Sequence, residues 1–385
     1  MTAHGTDWNA MDDAAFRQAV RAFYREHYPA HLRGVTRYLG WDEMKDWYAT
    51  LYARGWAAPS WPREWGGMGL DAAKQLIFHE ERTDISRGPD FNGIVMLGPV
   101  LMRFGNDAQK QHYLPRTLSC EYRWAQGYSE PGSGSDLASL RTEAVLDGDV
   151  FVVNGQKIWT TWALDCTHCF ALVRTDKTVK KQAGISFLLI DLAAKGVKVR
   201  GIRNLGGNQA FCEVFFDDVR VPKENLVGGL NEGWNISRAL VGFERLLIGN
   251  PKHCLAALAR LTVVANAQGI FDDAAFVERW AQLRMDVEDL GATYGRFCDL
   301  VRRGETLPPD VSMLKILATE TFKRITEEIL AAAQDAGGTA GVVEFPAGSA
   351  ELLPFFYMSR PTTIGAGTSE IQRTLMARQV LNLPV

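Results

Sequence analysis

The stretch from Glu143 to Trp159, which reads EAVLDGDVFVVNGQKIW, decides the fold of the middle of this chain. Short apolar runs lie on either side of Asp147-Gly148-Asp149 and of Asn154-Gly155, and both are turn signals that join antiparallel strands. Similar apolar runs follow at residues 170–175, 185–192, 197–202 and 213–221. This spacing predicts an antiparallel β-sandwich or barrel over residues 124–230, rather than a βαβ array.

The sequence on both sides of this region has helical periodicity. Asp12 precedes a segment in which Phe16, Val20 and Phe23 are four and three residues apart, on one face of a helix. The same pattern recurs at residues 41–54 and 71–104, in four segments between 231 and 336, and at 369–381. We therefore predict an α+β protein with an N-terminal helical domain (1–123), a middle β domain (124–230) and a C-terminal four-helix bundle (231–385).

Composition and charge exclude several classes of protein. The chain has 385 residues and a formal net charge of -3, which gives no electrostatic reason to expect a nucleic acid partner. No apolar run is long enough to cross a bilayer, and the first fifteen residues lack the basic start and apolar core of a signal peptide. The six cysteines are mostly scattered, as in a reduced protein. We expect a cytoplasmic protein without a membrane or nucleic acid partner.

Two glycine pairs resemble dinucleotide-binding fingerprints only in part. Gly365-Ala366-Gly367 and Gly132-Ser133-Gly134 both fail the G-x-G-x-x-G pattern, because Glu370 and Leu137 occupy the position of the third glycine. Neither pair lies between a strand and a helix of a βαβ unit. If the protein binds a dinucleotide, it does so without a Rossmann fold.

Two other groups of residues favour a structural interpretation. Cys166-Thr167-His168-Cys169 has no second Cys or His cluster to complete four ligands, so no metal site is predicted. Lys177, Lys180 and Lys181 could contact the phosphates of a nucleotide, but a solvated hairpin tip explains them better. A serine hydrolase is poorly supported, since the chain has no G-x-S-x-G segment.

Two segments combine small, hydroxyl-bearing and glycine residues. Tyr128–Asp136, YSEPGSGSD, allows main-chain N–H groups to approach an anion or a planar ring closely, although an irregular loop would have the same composition. In Gly365–Arg373, GAGTSEIQR, Thr368 or Ser369 would cap the last helix. The N-terminus of that helix offers free N–H groups to a pyrophosphate.

Six stretches, taken together and in this order, resemble the acyl-CoA dehydrogenase family. That resemblance implies the three-domain fold predicted above and an FAD-dependent enzyme that forms a Cα–Cβ double bond in an acyl-CoA thioester. The proton leaves Cα, the hydride passes from Cβ to flavin N5, and the electrons go on to an electron-transferring flavoprotein. The stretches are GGMGL (66–70), QKQHYLP (109–115), YSEPGSGSD (128–136), NGQKIWTT (154–161), QDAGG (334–338) and GTSEIQR (367–373).

The resemblance also implies how the cofactor is held. Residues 126–135 would line the flavin, Trp159 would cover the flavin face away from the substrate, and Thr161 would donate towards N5. Residues 334–338 would reach the FAD of a neighbouring subunit, which implies a homodimer or a dimer of dimers. The implied cofactor residues are Gln126, Tyr128, Ser129, Gly134, Ser135, Trp159, Thr160, Thr161, Gln334, Gly337, Gly338, Thr368 and Glu370.

The catalytic base is predicted from a variation within the family. Many members carry a Glu directly before Gly-Thr-Ser, where this chain has Ala366. A subgroup similar to isovaleryl-CoA dehydrogenase carries the Glu before an Arg on the first helix of the bundle, as in Glu244-Arg245 here. We therefore predict Glu244 as the base, rather than as an ion-paired helix residue. The predicted substrate-binding residues are Ser135, Arg245, Ala366 and Gly367.

Two departures from the family pattern leave alternatives open. Gly242 stands where many members have an Asp for the CoA tail, and residues 265–269 lack the Arg and Phe of an Arg-x-x-Phe-Gly segment that contacts the partner's FAD. Such divergence resembles bacterial branches that act on bulky, cyclic, steroid side-chain or dicarboxylic acyl groups, some of which pair two different chains. The alternatives are an oxidase or monooxygenase of the same fold, or one chain of a hetero-oligomer with a structural role.

Overall fold

The protein is described by a computed structural model that covers residues 5–33, 35, 39–83, 92–238, 246, 248–346 and 348–384. Its internal contacts divide the chain into two compact units. The first comprises Met1–Arg33, Tyr38–Phe78 and Ile85–Val241, and the second comprises Gly34–Arg37, His79–Asp84 and Gly242–Val385. The predicted boundaries between three domains stay a prediction.

Most helices of the first unit lie where the sequence predicts them, but α5 (Asp107–Leu118) was not predicted. Asp12 caps α1, since its carboxylate accepts a hydrogen bond from the N–H of Ala15 at 2.9 Å. Phe16, Val20 and Phe23 are buried, which confirms the predicted apolar face. A π-helical turn at Gly93–Leu97 precedes α4. The helices are α1 Asp13–His27, α2 Trp41–Ala53, α3 Ala72–Thr83 (its last residues belong to the second unit), α4 Gly98–Phe104, α5 Asp107–Leu118 and α6 Gly233–Arg238.

The middle of the chain forms a sheet of eight strands, mostly antiparallel as predicted. Their order is β6-β7-β3-β2-β4-β5-β8, and β1 pairs with β4 off this path. β1 is parallel to β4, and β2 meets β4 in parallel at Glu143 and Arg174, two pairings that the sequence pattern does not reveal. The strands are β1 Trp124–Gly127, β2 Glu143–Asp147, β3 Val150–Thr161, β4 His168–Arg174, β5 Ile185–Asp191, β6 Val197–Ile202, β7 Phe211–Pro222 and β8 Leu226–Val227.

Of the two turns expected in the 143–159 stretch, only the first one forms. Asn154 and Gly155 lie within β3, at a shift in its register against β7. The Asn154 side chain bonds the N–H and the carboxylate of Asp218 across the sheet. Gly155 has φ +148°, and a Cβ there would lie 2.6 Å from Thr142 Cα. Glycine is therefore needed here because the backbone of Thr142 approaches closely, and not because the chain turns.

The strands β4 and β5 separate two apolar cores. Phe170 and Leu172 pack on one side with helix residues such as Leu101 and Leu114, whereas Ala171 and Val173 pack on the other side with residues of β3 and β7. This alternation is the period of two expected of a strand buried on both faces. The second core, which lies between β4 and β5 on one side and β3 and β7 on the other, is what a β-sandwich or barrel requires.

The second unit is helical, as predicted for the C-terminal domain, and its central helix is α9, which packs against α7, α8, α10 and α11. One hairpin, formed by antiparallel β9 and β10, was not predicted. Its elements are α7 Lys252–Ala267, α8 Ala274–Arg302, α9 Ser312–Ala332, β9 Val342–Phe345, β10 Gly348–Glu351, α10 Leu353–Thr362 and α11 Ser369–Gln379. Among the described residues, no helix combines the length and apolar character that crossing a bilayer requires.

Candidate active site

The segment Tyr128–Asp136 follows β1 and is folded by its own hydrogen bonds. Glu130 and Ser133 exchange two backbone hydrogen bonds of 2.9 and 3.0 Å, which close a tight turn. The Ser133 hydroxyl donates to the carbonyl of Asp136 at 3.0 Å. Gly134 and Ser135 are exposed, and a Cβ at Gly134 would meet nothing within 4 Å. The segment is therefore an ordered turn with open space beside its glycine, rather than an irregular loop.

The end of β3 carries the second group of predicted cofactor residues. Trp159 has φ +60° and a 57% exposed surface, and its ring meets Phe211 edge-on at 6.1 Å between centroids. Trp162 also has a left-handed φ, of +57°. The left-handed conformation costs an L-residue roughly 1–2 kcal/mol, so the surrounding structure must enforce it. The sequence predicts Trp159 as a cofactor residue, but it predicts neither its strained backbone nor the exposure of its indole.

These two segments, separated in sequence, are neighbours in the structure. The N–H of Ile158 donates to the carbonyl of Ser129 at 2.9 Å. The ammonium of Lys157 donates to the carbonyl of Tyr128 at 3.2 Å. Gln126, in β1, lies opposite Phe170 of β4 at the edge of the same region. The predicted cofactor residues of the middle domain therefore form one continuous patch.

A buried ion pair lies beneath this patch, and sequence reasoning did not single it out. Lys157 Nζ is 2.8 Å from Glu130 Oε1, and Lys157 has no exposed surface. Burial alone would raise the pKa of the Glu130 carboxyl, but the Lys157 ammonium and the hydrogen bonds to Glu130 hold it below its usual value. The signal that could have revealed the pair is that each residue falls inside one of the quoted family stretches.

In the second unit, α11 begins as the sequence predicts. Thr368 is its N-cap, and the Thr368 hydroxyl accepts a hydrogen bond from the N–H of Ile371 at 3.2 Å. Ala366 and Gly367 precede it with φ of +55° and +84°. Hydrogen bonds from its own N–H and from the Thr368 hydroxyl hold the pKa of Glu370 below its usual value. Both predicted residues, Thr368 and Glu370, therefore stand at the N-terminus of α11, where the Thr363 carbonyl, the Thr368 hydroxyl and the Glu370 carboxylate already accept the first N–H groups.

A cleft of about 380 Å³ opens at this helix N-terminus. Lys323 and Arg324 of α9 contribute cations, and the N-terminus of α11 contributes the positive end of a helix dipole, which together suit a phosphate. Three glutamates, two on α9 and Glu370 on α11, also line it, so the cleft is mixed in charge. The lining residues are Glu320, Lys323, Arg324, Glu327, Thr363, Ile364, Thr368, Ser369 and Glu370.

The segment Gln334–Gly338 lies away from this cleft, beyond the C-terminal end of α9. At 1.5 Å per residue, the helix separates Gln334 from the cleft-lining part of α9 by roughly 10–20 Å. A Cβ at Gly337 would lie 2.3 Å from the carbonyl oxygen of Leu330, so the chain itself requires glycine there. Gly338 is exposed with nothing within 4 Å of a Cβ, which leaves room for a ligand.

The predicted base and one predicted substrate residue, Glu244 and Arg245, lie outside the described residues, as does Gly242. The role of Glu244 therefore stays a prediction. Ala366 and Gly367, predicted to bind substrate, are described and exposed beside the cleft. Ser135 belongs to the other patch, in the first unit.

The residues present fit an FAD. The exposed indole of Trp159 offers a large flat apolar face on which a planar ring could stack. Two buried hydroxyls, those of Thr160 and Ser369, have no hydrogen-bond partner among the described residues, so a ligand could satisfy them. Ser369 is the first residue of α11 and lines the cleft at that helix N-terminus.

The residues considered as alternatives have structural surroundings. Lys177 and Lys181 form ion pairs with Glu143 and Asp136 in the exposed β4–β5 connection, so the hairpin-tip interpretation is confirmed. Cys166 and Cys169 are free thiols whose pKa values are raised by burial. Within the described ranges, no three Cys, His, Asp or Glu side chains are grouped as metal ligands would be.

Comparison with known proteins gives one consistent family. The acyl-CoA dehydrogenase N-terminal, middle and C-terminal domain models match residues 11–121, 125–219 and 231–381. Acyl-CoA dehydrogenase IpdE1 of Mycobacterium tuberculosis is 34% identical over 389 residues, covering 97% of this chain and 98% of that protein.

Two solved structures share the fold over nearly the whole chain. The Tcur3481-Tcur3483 steroid ACAD is 28% identical with a TM-score of 0.85, covering 97% of this chain and 100% of that one. The ChsE4-ChsE5 complex from Mycobacterium tuberculosis is 27% identical with a TM-score of 0.83, covering 97% and 98%. The chain belongs to the acyl-CoA dehydrogenase family of FAD-dependent oxidoreductases that act on acyl-CoA.

Proposed function

We propose that this protein catalyses α,β-dehydrogenation of an acyl-CoA thioester with Glu244 as the base, and that an electron-transferring flavoprotein takes the electrons. The observation that carries the proposal is the continuous patch formed by Tyr128–Ser135 and Trp159–Thr161. The hydrogen bond from the N–H of Ile158, the residue before Trp159, to the carbonyl of Ser129 supports a common ligand for both segments. The exposed face of Trp159 beside them suits an isoalloxazine.

The bound FAD supplies the hydride acceptor, its N5. Ser129 and Thr161 would donate hydrogen bonds to the ring system, and Trp159 would cover one of its faces. Thr368 and the N-terminus of α11 would hold the pyrophosphate, because the positive end of the helix dipole favours anions there.

The substrate side of the reaction is assigned to residues 244–245 and 366–367. Glu244 would take the Cα proton, and burial beside an apolar ligand would raise its pKa towards the value a base needs. The N–H of Ala366 would donate to the thioester oxygen as negative charge develops there, a contribution on the order of 3 kcal/mol for one such donor. Arg245, Gly367 and Ser135 would hold the remainder of the thioester.

The first experiment compares Glu244→Gln with an exposed control, Glu278→Gln on α8. Loss of the base is expected to slow anaerobic flavin bleaching by acyl-CoA by roughly 10²–10⁴-fold, while flavin content stays that of the unmodified protein. The control should bleach normally. Near-normal bleaching by a flavin-loaded Glu244→Gln protein would refute the assignment of the base.

The second experiment addresses the acceptor and the acyl group. We propose a bulky or cyclic acyl-CoA as substrate, supported by the similarity to a steroid ACAD. A panel of straight-chain, branched and polycyclic acyl-CoAs, scored by bleaching, tests this, and a preference for straight chains would contradict it. Rapid peroxide formation without an acceptor protein would instead identify an oxygen-using flavoenzyme.

A second candidate is that this chain works as one half of a hetero-oligomer. It is supported by the missing Arg-x-x-Phe-Gly segment and by similarity to two proteins that are named as pairs of different chains, Tcur3481-Tcur3483 and ChsE4-ChsE5. In either assembly, the separation of Gln334–Gly338 from the α11 cleft suits contact with a second cofactor. The flavin content and oligomer size of the chain purified alone distinguish a homo-oligomer, which would carry FAD, from a chain that needs its partner.

We also propose a cytoplasmic location, because all six cysteines are free and most are buried, as in a reducing compartment.

A further inference from the structure

The buried ion pair between Glu130 and Lys157 has no role in the chemistry proposed above. It lies beneath the patch of Tyr128–Ser135 and Trp159–Thr161, and neither of its members is more than 7% exposed. The pair therefore does not present its charges to solvent. Its hydrogen bonds show which parts of the chain it holds.

The pair connects three parts of the main chain. The ammonium of Lys157 donates to the carbonyl of Tyr128 at 3.2 Å as well as to Glu130. The carboxylate of Glu130 also accepts the N–H groups of Arg141 and Thr142, at 2.6 and 2.8 Å. Two side chains thus fix the 128–130 segment, the residues before β2 and the end of β3 with respect to one another.

Stability alone does not explain why two charges are buried here. Removing both ions from water is costly, and an apolar pair of similar volume is often equally or more stable. What the ions provide, and an apolar pair does not, is a set of directional hydrogen bonds to main-chain groups. The network around Glu130 has three donors on one carboxylate, which fixes its position closely.

The backbone next to Lys157 needs such restraint. Trp159, two residues later, is held in the left-handed region, and the register of β3 against β7 shifts between Lys157 and Thr160. A residue in that region keeps its conformation only when its surroundings enforce it. Gly127 of β1 packs closely on β4 beside this pair, since a Cβ at Gly127 would lie 2.7 Å from Cys169 Sγ and in ordinary contact, at 3.5 Å, with Lys157 Cγ.

We propose that Glu130 and Lys157 are positioning residues for the flavin, whose ion pair sets the spacing between the Tyr128–Ser135 turn and the strained Trp159–Thr161 strand end. The inference rests on the assignment of both segments to FAD. Neither residue touches the reacting atoms. The pair acts through main-chain groups, so its loss should alter cofactor affinity and the spectrum of the bound flavin more than it alters folding.

The test uses the double variant Glu130→Gln/Lys157→Met, because Lys157→Met alone would leave a buried carboxylate without its partner. The glutamine side chain carries no charge, and its amide oxygen can accept one of the two N–H groups, whereas the other, which bonds the second carboxylate oxygen of Glu130, loses its acceptor. The matched control is Lys74→Met, since Lys74 is another buried lysine that donates to one carboxylate (Asp13, 2.5 Å) and one carbonyl (Met11, 2.6 Å), far from either segment in sequence. Each protein is stripped of flavin, and FAD affinity, the visible spectrum of rebound FAD and the thermal midpoint are measured.

We expect the double variant to bind FAD at least tenfold more weakly and to shift the flavin absorption bands, while the flavin-free protein still unfolds in one cooperative thermal transition. Lys74→Met should leave FAD affinity and spectrum unchanged. Unaltered FAD affinity and spectrum in the double variant would overturn the inference, and so would failure of that variant to fold, because stability would then be the main role of the pair.

A third variant, Trp159→Ala, separates this inference from the proposed function. If Trp159→Ala weakens FAD binding and the double variant does not, only the positioning role is wrong. If neither variant changes FAD binding, the flavin does not lie on this patch, and the assignment of the cofactor site is wrong.

Discussion

Lys315 presents an unusual case, a lysine with no exposed surface near the N-terminal end of α9. Its ammonium donates to the carbonyl of Thr363 at 2.9 Å, in the turn that leads to Ala366 and α11. Burial lowers the pKa of Lys315, and the carboxylates of Glu320 and Glu370 only partly oppose that shift. We predict that Lys315→Met makes the protein more stable.

The magnitude follows from two opposing contributions. Burying an ammonium costs several kcal/mol, whereas one hydrogen bond from a charged group returns about 1.5–3 kcal/mol. Methionine removes the cost and fills a similar volume. The carbonyl of Thr363 keeps a partner in the variant, because it also accepts the N–H of Ser369 at 3.1 Å. The net gain in the free energy of unfolding should be about 1–3 kcal/mol at neutral pH.

The dependence on pH gives a second, independent signature. Because the folded-state pKa of Lys315 lies below the ordinary value of 10.5, the penalty is fully present below the folded pKa and disappears as pH rises towards 10.5. As pH rises from the folded-state pKa towards 10.5, the free energy of unfolding of the unmodified protein should therefore increase relative to that of the variant. The stabilising effect of Lys315→Met should shrink between about pH 7 and about pH 10.

The assay is urea unfolding of both proteins across this range, with Lys323→Met as a control on the same helix. Lys323 is only partly buried, so its substitution should change the free energy of unfolding by less than about 0.5 kcal/mol. A loss of more than about 1 kcal/mol in Lys315→Met at neutral pH would refute the reasoning, because it would mean that the buried ammonium stabilises the fold.

Three further predictions concern the cofactor site. Thr368→Ala removes the N-cap hydrogen bond of α11 and should cost about 1 kcal/mol in unfolding experiments, together with weaker binding in an FAD titration. Gly337→Ala should lower the thermal midpoint, because its Cβ would lie 2.3 Å from the Leu330 carbonyl, whereas Gly338→Ala should leave the midpoint unchanged and reduce flavin content. Since the pKa of Glu130 is lowered on folding, its stabilising contribution is present above the ordinary value of 4.5 and is lost as pH falls through the folded value. The thermal midpoint of the unmodified protein should therefore fall on acidification by more than that of the Glu130→Gln/Lys157→Met variant, which lacks this carboxylate.

Local sequence patterns predict where a helix or strand begins when the side chain at that position favours one backbone conformation. Asp12 begins α1 and Thr368 caps α11, as their side-chain chemistry requires. Asn154-Gly155 shows the limit of that reasoning. The pair favours a turn locally, but Asp218 on β7 and Thr142 before β2 offer contacts that only the assembled sheet creates, so the strand continues.

The candidate site shows the same division between local and long-range information. The family stretches identify which residues belong to the patch, but they do not show that Lys157 and Glu130 meet, because these are 27 residues apart and are brought together by strand pairing. The left-handed backbone of Trp159 also depends on its neighbours in the sheet, since tryptophan has no intrinsic preference for it. The hairpin β9–β10 was missed for another reason. Its residues are largely exposed, so they lack the apolar alternation that identifies a half-buried strand.

The two groups of proposed cofactor residues differ in how many of their polar groups form hydrogen bonds within the chain itself. In the middle domain, the turn at residues 128–136 is closed by hydrogen bonds within the same unit, so its shape does not depend on a ligand or a second chain. In the C-terminal unit, Ser369 keeps a buried hydroxyl without a partner among the described residues, and Gly338 leaves open space at the other end of α9. The closed turn of the proposed flavin patch, together with the open contacts at Ser369 and Gly338, is the arrangement expected when each cofactor is completed by another chain. The free chain should therefore hold its flavin ring in place before assembly, and the largest gain in FAD affinity should come when the partner supplies the remaining contacts.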